Sequence, residues 1–418
     1  MTQTDFNQTL LDFLASSPTP FHATQTMSTV LDEAGFYKLN ETEVWELKKG
    51  NKYYLTRNDS SVLAFIYGEN DLSTEGISMV GAHTDSPCLK LKPNTIIHKK
   101  GYIQLGVEVY GGALLNPWFD RDLSLAGRVS GLNDKGELIH PLLDFKRAIA
   151  LIPSLAIHLD KEANKNRCIN PQTDIPPIIM QSDESISFED ILLKETGLKE
   201  ILDFELMFYD TQKPAIIGFN EDFIASARLD NLLSCYVGLQ ALVQAPSQNS
   251  ALLICSDHEE VGSESTSGAA GPFLEMVLKR IESSHEDYAR MINSSLMISA
   301  DNAHGVHPNF SDKHDENHAP LLNHGPVIKV NANQRYASNS QSISQFKLLC
   351  KKVDVPYQSF VSRSDMGCGS TIGPITATKI GVKTIDIGLP TFAMHSIRES
   401  AGVKDAYMLY KVLKAYFS

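Results

Sequence analysis

Apolar residues recur along this chain at two spacings, and the spacing changes twice. Phe6, Leu10, Leu11, Phe13 and Leu14 share one face at helical spacing, which predicts an amphipathic helix over 6–14. Ser16-Ser17-Pro18-Thr19-Pro20 interrupts it. A second helix is expected over 21–34, burying Met27, Val30 and Leu31 and stopping at Gly35. Apolar runs then predict strands near 53–55, 61–67 and 77–80. From Tyr102 to Tyr110 the pattern becomes strict alternation: Ile103, Leu105, Val107 and Val109 face one way, as in a half-buried strand. Gly111-Gly112 turns the chain, short strands continue through Val129, and Leu202, Phe204, Leu206 and Phe208 alternate again, with a helix expected over 188–195. Helical spacing returns at Leu232, Leu233, Tyr236, Val237, Leu239 and Val243. Further helices near 274–281, 342–352 and 372–379 separate apolar runs.

Strands divided by helices imply a largely parallel sheet flanked by helices on both faces. A β-rich stretch between two such segments reads as an inserted domain. The expected organisation is therefore α/β over 1–95, a β-rich insert over 96–228, and a second α/β part over 229–418. A chain of 418 residues exceeds the size at which one core stops growing, which also predicts two domains. The net charge of −13 comes with no basic run, which argues against nucleic acid and anionic membrane surfaces as partners. The six cysteines are scattered without a C-x-x-C pair, so they do not form a disulfide framework. Met1-Thr2-Gln3-Thr4-Asp5 lacks the charge pattern of a secretion signal, and no run approaches a membrane span. A cytoplasmic protein is expected.

Candidate chemistry sits where the apolar runs stop. Ile77-Ser78-Met79-Val80 leads into His83 and Asp85. Ala251-Leu252-Leu253-Ile254-Cys255 leads into Asp257-His258-Glu259-Glu260. Leu296-Met297-Ile298-Ser299 leads into Asp301, and Thr384-Ile385-Asp386-Ile387 into the loop carrying His395. In open α/β sheets ligands bind outside the carboxyl ends of strands, and His, Asp and Glu delivered there suit a divalent metal. In Glu259-Glu260, one carboxylate can bind a metal while its neighbour serves as general base, the two tasks of metal-assisted hydrolysis. Alone, that pair reads better as two exposed acids on a loop. His258-Glu259-Glu260-Val261-Gly262 is not an H-E-x-x-H helix, because Gly262 stands at the second His position. Asp230 reads either as a helix N-cap or as a carboxylate bridging two metals. Asp85, two residues beyond His83, faces the same way in extended chain and suits the partner that orients a metal-binding imidazole. His304, His307, His314, His318 and His324 crowd one polar segment without a strand end to fix them, and read as a loop near the site.

Several of these residues belong to ordered motifs. Ser17-Pro18-Thr19-Pro20-Phe21-His22, Gly81-Ala82-His83-Thr84-Asp85-Ser86-Pro87, Arg228-Leu229-Asp230-Asn231, His258-Glu259-Glu260-Val261-Gly262-Ser263, His307-Pro308-Asn309, Gln334-Arg335-Tyr336-Ala337 and Met394-His395-Ser396-Ile397-Arg398-Glu399 together resemble the aspartyl aminopeptidase family of metallopeptidases, from about residue 17 to the C-terminus. The resemblance implies a zinc exopeptidase-like catalytic domain interrupted by a β-rich oligomerisation domain, two zinc ions per chain with cobalt or manganese as substitutes, peptide substrates and a tetrahedral homododecamer. It implies that His83, Asp230 and Asp301 hold one zinc, that Asp230, Glu260 and His395 hold the other, that Glu259 is the general base, and that Asp85 orients His83. His158, in Leu155-Ala156-Ile157-His158-Leu159-Asp160, also matches a family motif. It is either a third histidine at the metal or a residue reaching a neighbouring subunit's active site, and the second reading is preferred. Members that favour acidic N-termini are expected to carry Lys just before Gln334; here Asn333 stands there. The expected function is a dizinc aminopeptidase. The alternatives are a related zinc carboxypeptidase or N-acyl amino acid deacylase, or a non-enzymatic self-assembling shell or cargo protein.

Overall fold

The computed structural model describes all 418 residues, which divide into two compact units. The first comprises Met1–Asp85, Pro214–Met394 and Glu399–Ser418, and the second Ser86–Lys213 with His395–Arg398.

The first unit is built on a nine-stranded sheet. Its strand order is Tyr37–Lys38, Lys52–Arg57, Ser61–Ile66, Ala251–Ser256, Ser78–His83, Leu296–Ala300, Lys383–Gly388, Val327–Val330 and Gln358–Val361. Five of the eight neighbouring pairs are parallel, including every pair among the four central strands, and three are antiparallel. The four central strands are the four apolar runs that end in candidate ligands. Their residues are apolar almost throughout because both sheet faces are covered. Alternate residues of one strand enter different cores: Val80, Leu253, Cys255 and Ile298 join one apolar cluster, while Met79, Leu252, Ile254 and Met297 join another. Helices Gln3–Ala15, Leu229–Val243 and Asp405–Tyr416 supply the first cluster, and Phe273–Ile281 and His285–Ser294 the second.

Helix ends follow local chemistry. Thr2 and Asp5 form a reciprocal capping box on the first helix. Pro20 opens the helix Pro20–Glu33, where its missing N–H costs nothing, with Thr19 as N-cap. Strand order turns at Ser78–His83: of the later strands in this sheet, Ala251–Ser256 joins on one side of it and Leu296–Ala300 on the other. Such a switch point opens a crevice at the carboxyl ends of the strands. A smaller five-stranded sheet in the same unit joins Ala215–Ile217, Phe223–Ser226, Glu399–Gly402, Pro390–Phe392 and Ala303–His304.

The second unit is a seven-stranded antiparallel sheet around its own core, including Leu89, Leu105, Trp118, Leu125, Leu206 and Phe208, with the helix Phe188–Thr196 packed against it. Its bounds differ from those expected at 95/96 and 228/229. The strand Cys88–Lys99 pairs along its length with Tyr102–Tyr110 and so lies wholly in this unit. Phe223–Ser226 pairs with Glu399–Gly402 and so lies in the first. Strand pairing, not a change of residue spacing, sets both bounds.

Candidate metal centre

The register of the central strands brings the candidate residues to one edge. Ser256 pairs with His83, and Ser299 with Gly81, so the residues just past both strands emerge level with the end of Ser78–His83. His83 is buried, with Nε2 3.4 Å from Asp230 Oδ1, 3.5 Å from Asp301 Oδ1 and 4.0 Å from Glu259 Oε2. Donor atoms of His83, Asp230 and Asp301 all lie within 4.8 Å of one another, as do those of His83, Glu259 and Glu260.

Each carboxylate is aimed by its backbone. The N-cap of Leu229–Val243 is Arg228; Asp230 lies within the segment at φ −83° and ψ 107°, outside helical geometry, and its peptide bond to Asn231 is cis. Its N–H donates to Oε2 of the buried Glu399 at 2.9 Å. Asn231 Nδ2 donates to the Ala300 carbonyl at 2.9 Å, tying this turn to the strand that delivers Asp301. Asp301 N–H donates to the Ile387 carbonyl at 3.0 Å. Gly388 permits that approach, since a Cβ there would lie 2.2 Å from the Asp301 carbonyl oxygen. Glu259 and Glu260 occupy a single 3₁₀ turn between His258 and Gly262, both at positive φ.

Asp85 does more than expected. His83 Nδ1 lies 3.0 Å from the Asp85 backbone carbonyl and 3.3 Å from its Oδ1. A donor at Nδ1 leaves Nε2, facing Asp230 and Asp301, as the lone-pair nitrogen. The Asp85 carboxylate also accepts the N–H groups of Glu259 and Glu260, each at 3.1 Å. One fully buried side chain thus aims the imidazole and both glutamates.

Two residues that the sequence reading left without a role complete the arrangement: Glu399, which holds the Asp230 backbone, and Lys329. The Lys329 Nζ lies 3.1 Å from Asp301 Oδ2, and both side chains are buried. A lysine inside the apolar strand Val327–Val330 is the sequence signal that would have flagged it.

Six carboxylates, Asp85, Asp230, Asp257, Asp301, Glu259 and Glu260, gather here, and one of them, Asp301, meets the buried Lys329. Their mutual effect is visible in the acidities. Burial pushes Glu259 up to about 7, against His83 and with the help of Asp301, Asp230 and Asp85. Burial and then Asp85 push Asp257 up to about 6. Burial disfavours a charged His83, yet Asp230, Asp301 and Asp85 raise its pKa well above the usual imidazole value. Asp301 is driven the other way: burial opposes its ionisation, but Lys329 and His83 hold its carboxyl well below the ordinary range. The cluster therefore demands positive charge at His83 Nε2. A proton meets that demand, and so does a divalent ion, which displaces the proton on binding. One imidazole with several carboxylate oxygens is a donor set that zinc accepts.

Two further candidates group with the second unit. His395, at positive φ, belongs to the four residues that group with the second unit, where its Nδ1 is 3.1 Å from the Gly112 carbonyl. Met394 and Glu399, on either side of that stretch, belong to the first unit. His158 is exposed in a turn of the second unit. The histidine-rich segment finds local partners: His318 meets Asp315 at 2.6 Å, His314 faces the His304 carbonyl, His324 the Leu322 carbonyl, and His307 accepts the Asn309 N–H. Asn333 and Arg335 are exposed in a turn whose backbone N–H groups donate to Asn331 Oδ1.

With this geometry in view, comparison with known proteins is specific. Residues 13–417 match the family model described as Aminopeptidase I zinc metalloprotease (M18). The chain is 58% identical over 422 residues to the probable M18 family aminopeptidase 2 of Stutzerimonas stutzeri, covering 99% of this chain and 98% of that one. It is 56% identical, at the same coverage, to the protein of that name from Pseudomonas aeruginosa. Among solved structures, a chain of the Ape4 and Nbr1 complex superposes with a TM-score of 0.96 at 38% identity, covering 99% of this chain and 86% of that one. The S. cerevisiae mApe1 dodecamer superposes at 0.87 and 28% identity, covering 99% and 96%.

The double role of Asp85 yields a direct test. Asp85→Asn removes one of the two anionic acceptors for the Glu259 and Glu260 N–H groups and weakens the orientation of His83. Zinc affinity, read by competition with a chromogenic chelator, is expected to fall by about 10–100-fold. Unchanged affinity would show that neither contact matters to the donor set.

Proposed function

Because this chain belongs to the M18 family of zinc metalloaminopeptidases, we propose that it releases N-terminal amino acids from peptides at a centre holding two zinc ions. That it is a metalloaminopeptidase follows from the family. The number of ions and the role of each residue are our reading of the site. The observation that carries it is the convergence of His83, Asp230 and Asp301 with Glu259 beside them.

In this reading His83, Asp230 and Asp301 hold one ion. Asp230, Glu260 and His395 would hold the second, with Asp230 common to both sets. Bound divalent ions polarise a peptide carbonyl and acidify water. Glu259, 4.0 Å from His83 Nε2, stands next to the donor set. Its carboxylate takes a proton from the attacking water and passes it to the leaving amine. Burial and the surrounding acids that raise its pKa strengthen it as a base for the first transfer. Asp85 keeps Glu259 and Glu260 in place through their backbone N–H groups. M18 membership gives no support to the carboxypeptidase, deacylase or shell readings.

Assembly belongs to the same reading. A relative of this fold was solved as a dodecamer, and we propose a homododecamer here, tetrahedral as the resemblance implies, with the second unit as its oligomerisation domain. His158 lies in a turn with Leu155, Ile157 and Leu159, all more than half exposed. Apolar residues gathered on an exposed turn suit burial against a partner. That supports His158 as a residue that serves a neighbouring subunit's active site.

Two experiments test this. Glu259→Gln keeps the shape of the site and removes the proton acceptor. Zinc content is expected to stay normal while kcat falls by about 10²–10⁴-fold; near-normal turnover would exclude Glu259 as the base. The second mixes two inactive proteins. His158→Ala is expected to lose activity without losing zinc, and co-assembly with Glu259→Gln is expected to restore part of it, because the two defects then fall in different chains around one site. A fully active monomer by light scattering would rule out the shared site.

A further inference from the structure

Lys329 is a buried lysine whose ammonium faces the donor set rather than solvent. It sits in the strand Val327–Val330 with 3% of its surface exposed. Its Nζ lies 3.1 Å from Asp301 Oδ2, and the Tyr336 ring is 5.4 Å away on another side. Asp301 divides its two oxygens. Oδ2 meets Lys329, while Oδ1 accepts the Asn302 N–H at 2.6 Å and lies 3.5 Å from His83 Nε2. A buried ion pair is a poor source of stability, since taking both charges out of water offsets their attraction, and an apolar pair of similar size does as well. The pair therefore calls for a reason other than folding, and the adjoining carboxylates supply one.

Resting on the metal-centre reading above, we propose that Lys329 is a positioning residue that uses its charge to limit how tightly Asp301 holds its zinc. The usual outer partner of a metal ligand is a carboxylate or carbonyl, which makes the ligand more basic, and its loss weakens metal binding. A cation in that place has the opposite sign. It draws electron density from Asp301, engages Oδ2 and would offset part of the negative charge around a bound ion. The ion is then held less tightly and withdraws electrons from its substrate more strongly. Affinity is traded for turnover.

The sign separates this from a structural role. Lys329→Met keeps an unbranched side chain of similar length and removes the charge. Lys329→Gln keeps a donor towards Asp301 Oδ2 and also removes the charge. At about pH 8, well above the carboxylate range, both variants are expected to bind zinc roughly tenfold or more tightly by chelator competition. Both should show a larger rise in Tm on adding zinc, because loss of Lys329 destabilises the zinc-free form more than the loaded one. In both, kcat should fall with KM little changed. If Lys329→Met fails to fold, Lys329→Gln carries the same test. Zinc binding that is weaker than or equal to that of the unmodified protein overturns the proposal. So does a Lys329→Gln protein that matches the unmodified one in affinity, since the charge would then have no part. An unmodified protein that takes up no zinc overturns the metal-centre reading, and this proposal with it.

Discussion

Carboxylates crowded out of water repel one another, and most of the unusual features at the sheet edge exist to keep them together. Asp85, Asp230, Asp257, Asp301, Glu259 and Glu260 converge where four parallel strands end. Each strand is held in register by its neighbours, so the side chains leave the sheet at one level whatever their charge. The apolar clusters on the two faces stabilise that register, and the polar edge is the strain they support. Folding creates a demand for positive charge that His83 and Lys329 meet only in part.

Backbone groups do much of the restraining. The N–H groups of Glu259 and Glu260 are committed to Asp85, and that of Asp230 to Glu399. The Asp301 backbone is committed to the neighbouring strand at Ile387. Side-chain oxygens are thereby turned into the crevice. A donor set fixed in this way loses little freedom on binding an ion, which is the condition for a precise and durable site.

Much of this was legible in the sequence, for a physical reason. Strands buried on both faces read as unbroken apolar runs, so the polar residues that end them stand out; His83, Asp301 and the Glu259-Glu260 pair were visible in this way. What periodicity could not reveal depends on contacts between distant segments. The second function of Asp85 needs the turn at Glu259 to fold beneath it, more than 170 positions along the chain. Glu399 and Lys329 bear on the site only through the third dimension. The bounds of the β-rich unit were misplaced by about ten to fifteen residues, because Cys88–Lys99 and Phe223–Ser226 carry no signal of which sheet they join. Asp230 could be read as a helix cap or as a metal-binding carboxylate, and only its approach to His83, 3.4 Å away, separates the two.

Organisation of the cluster around metal ions can be tested by anomalous diffraction at the zinc edge from zinc-loaded crystals. Two peaks per chain are predicted, one bounded by His83, Asp230 and Asp301 and one by Asp230, Glu260 and His395. Zinc located away from these side chains, or absent from them in an active protein, would show that the cluster serves another purpose.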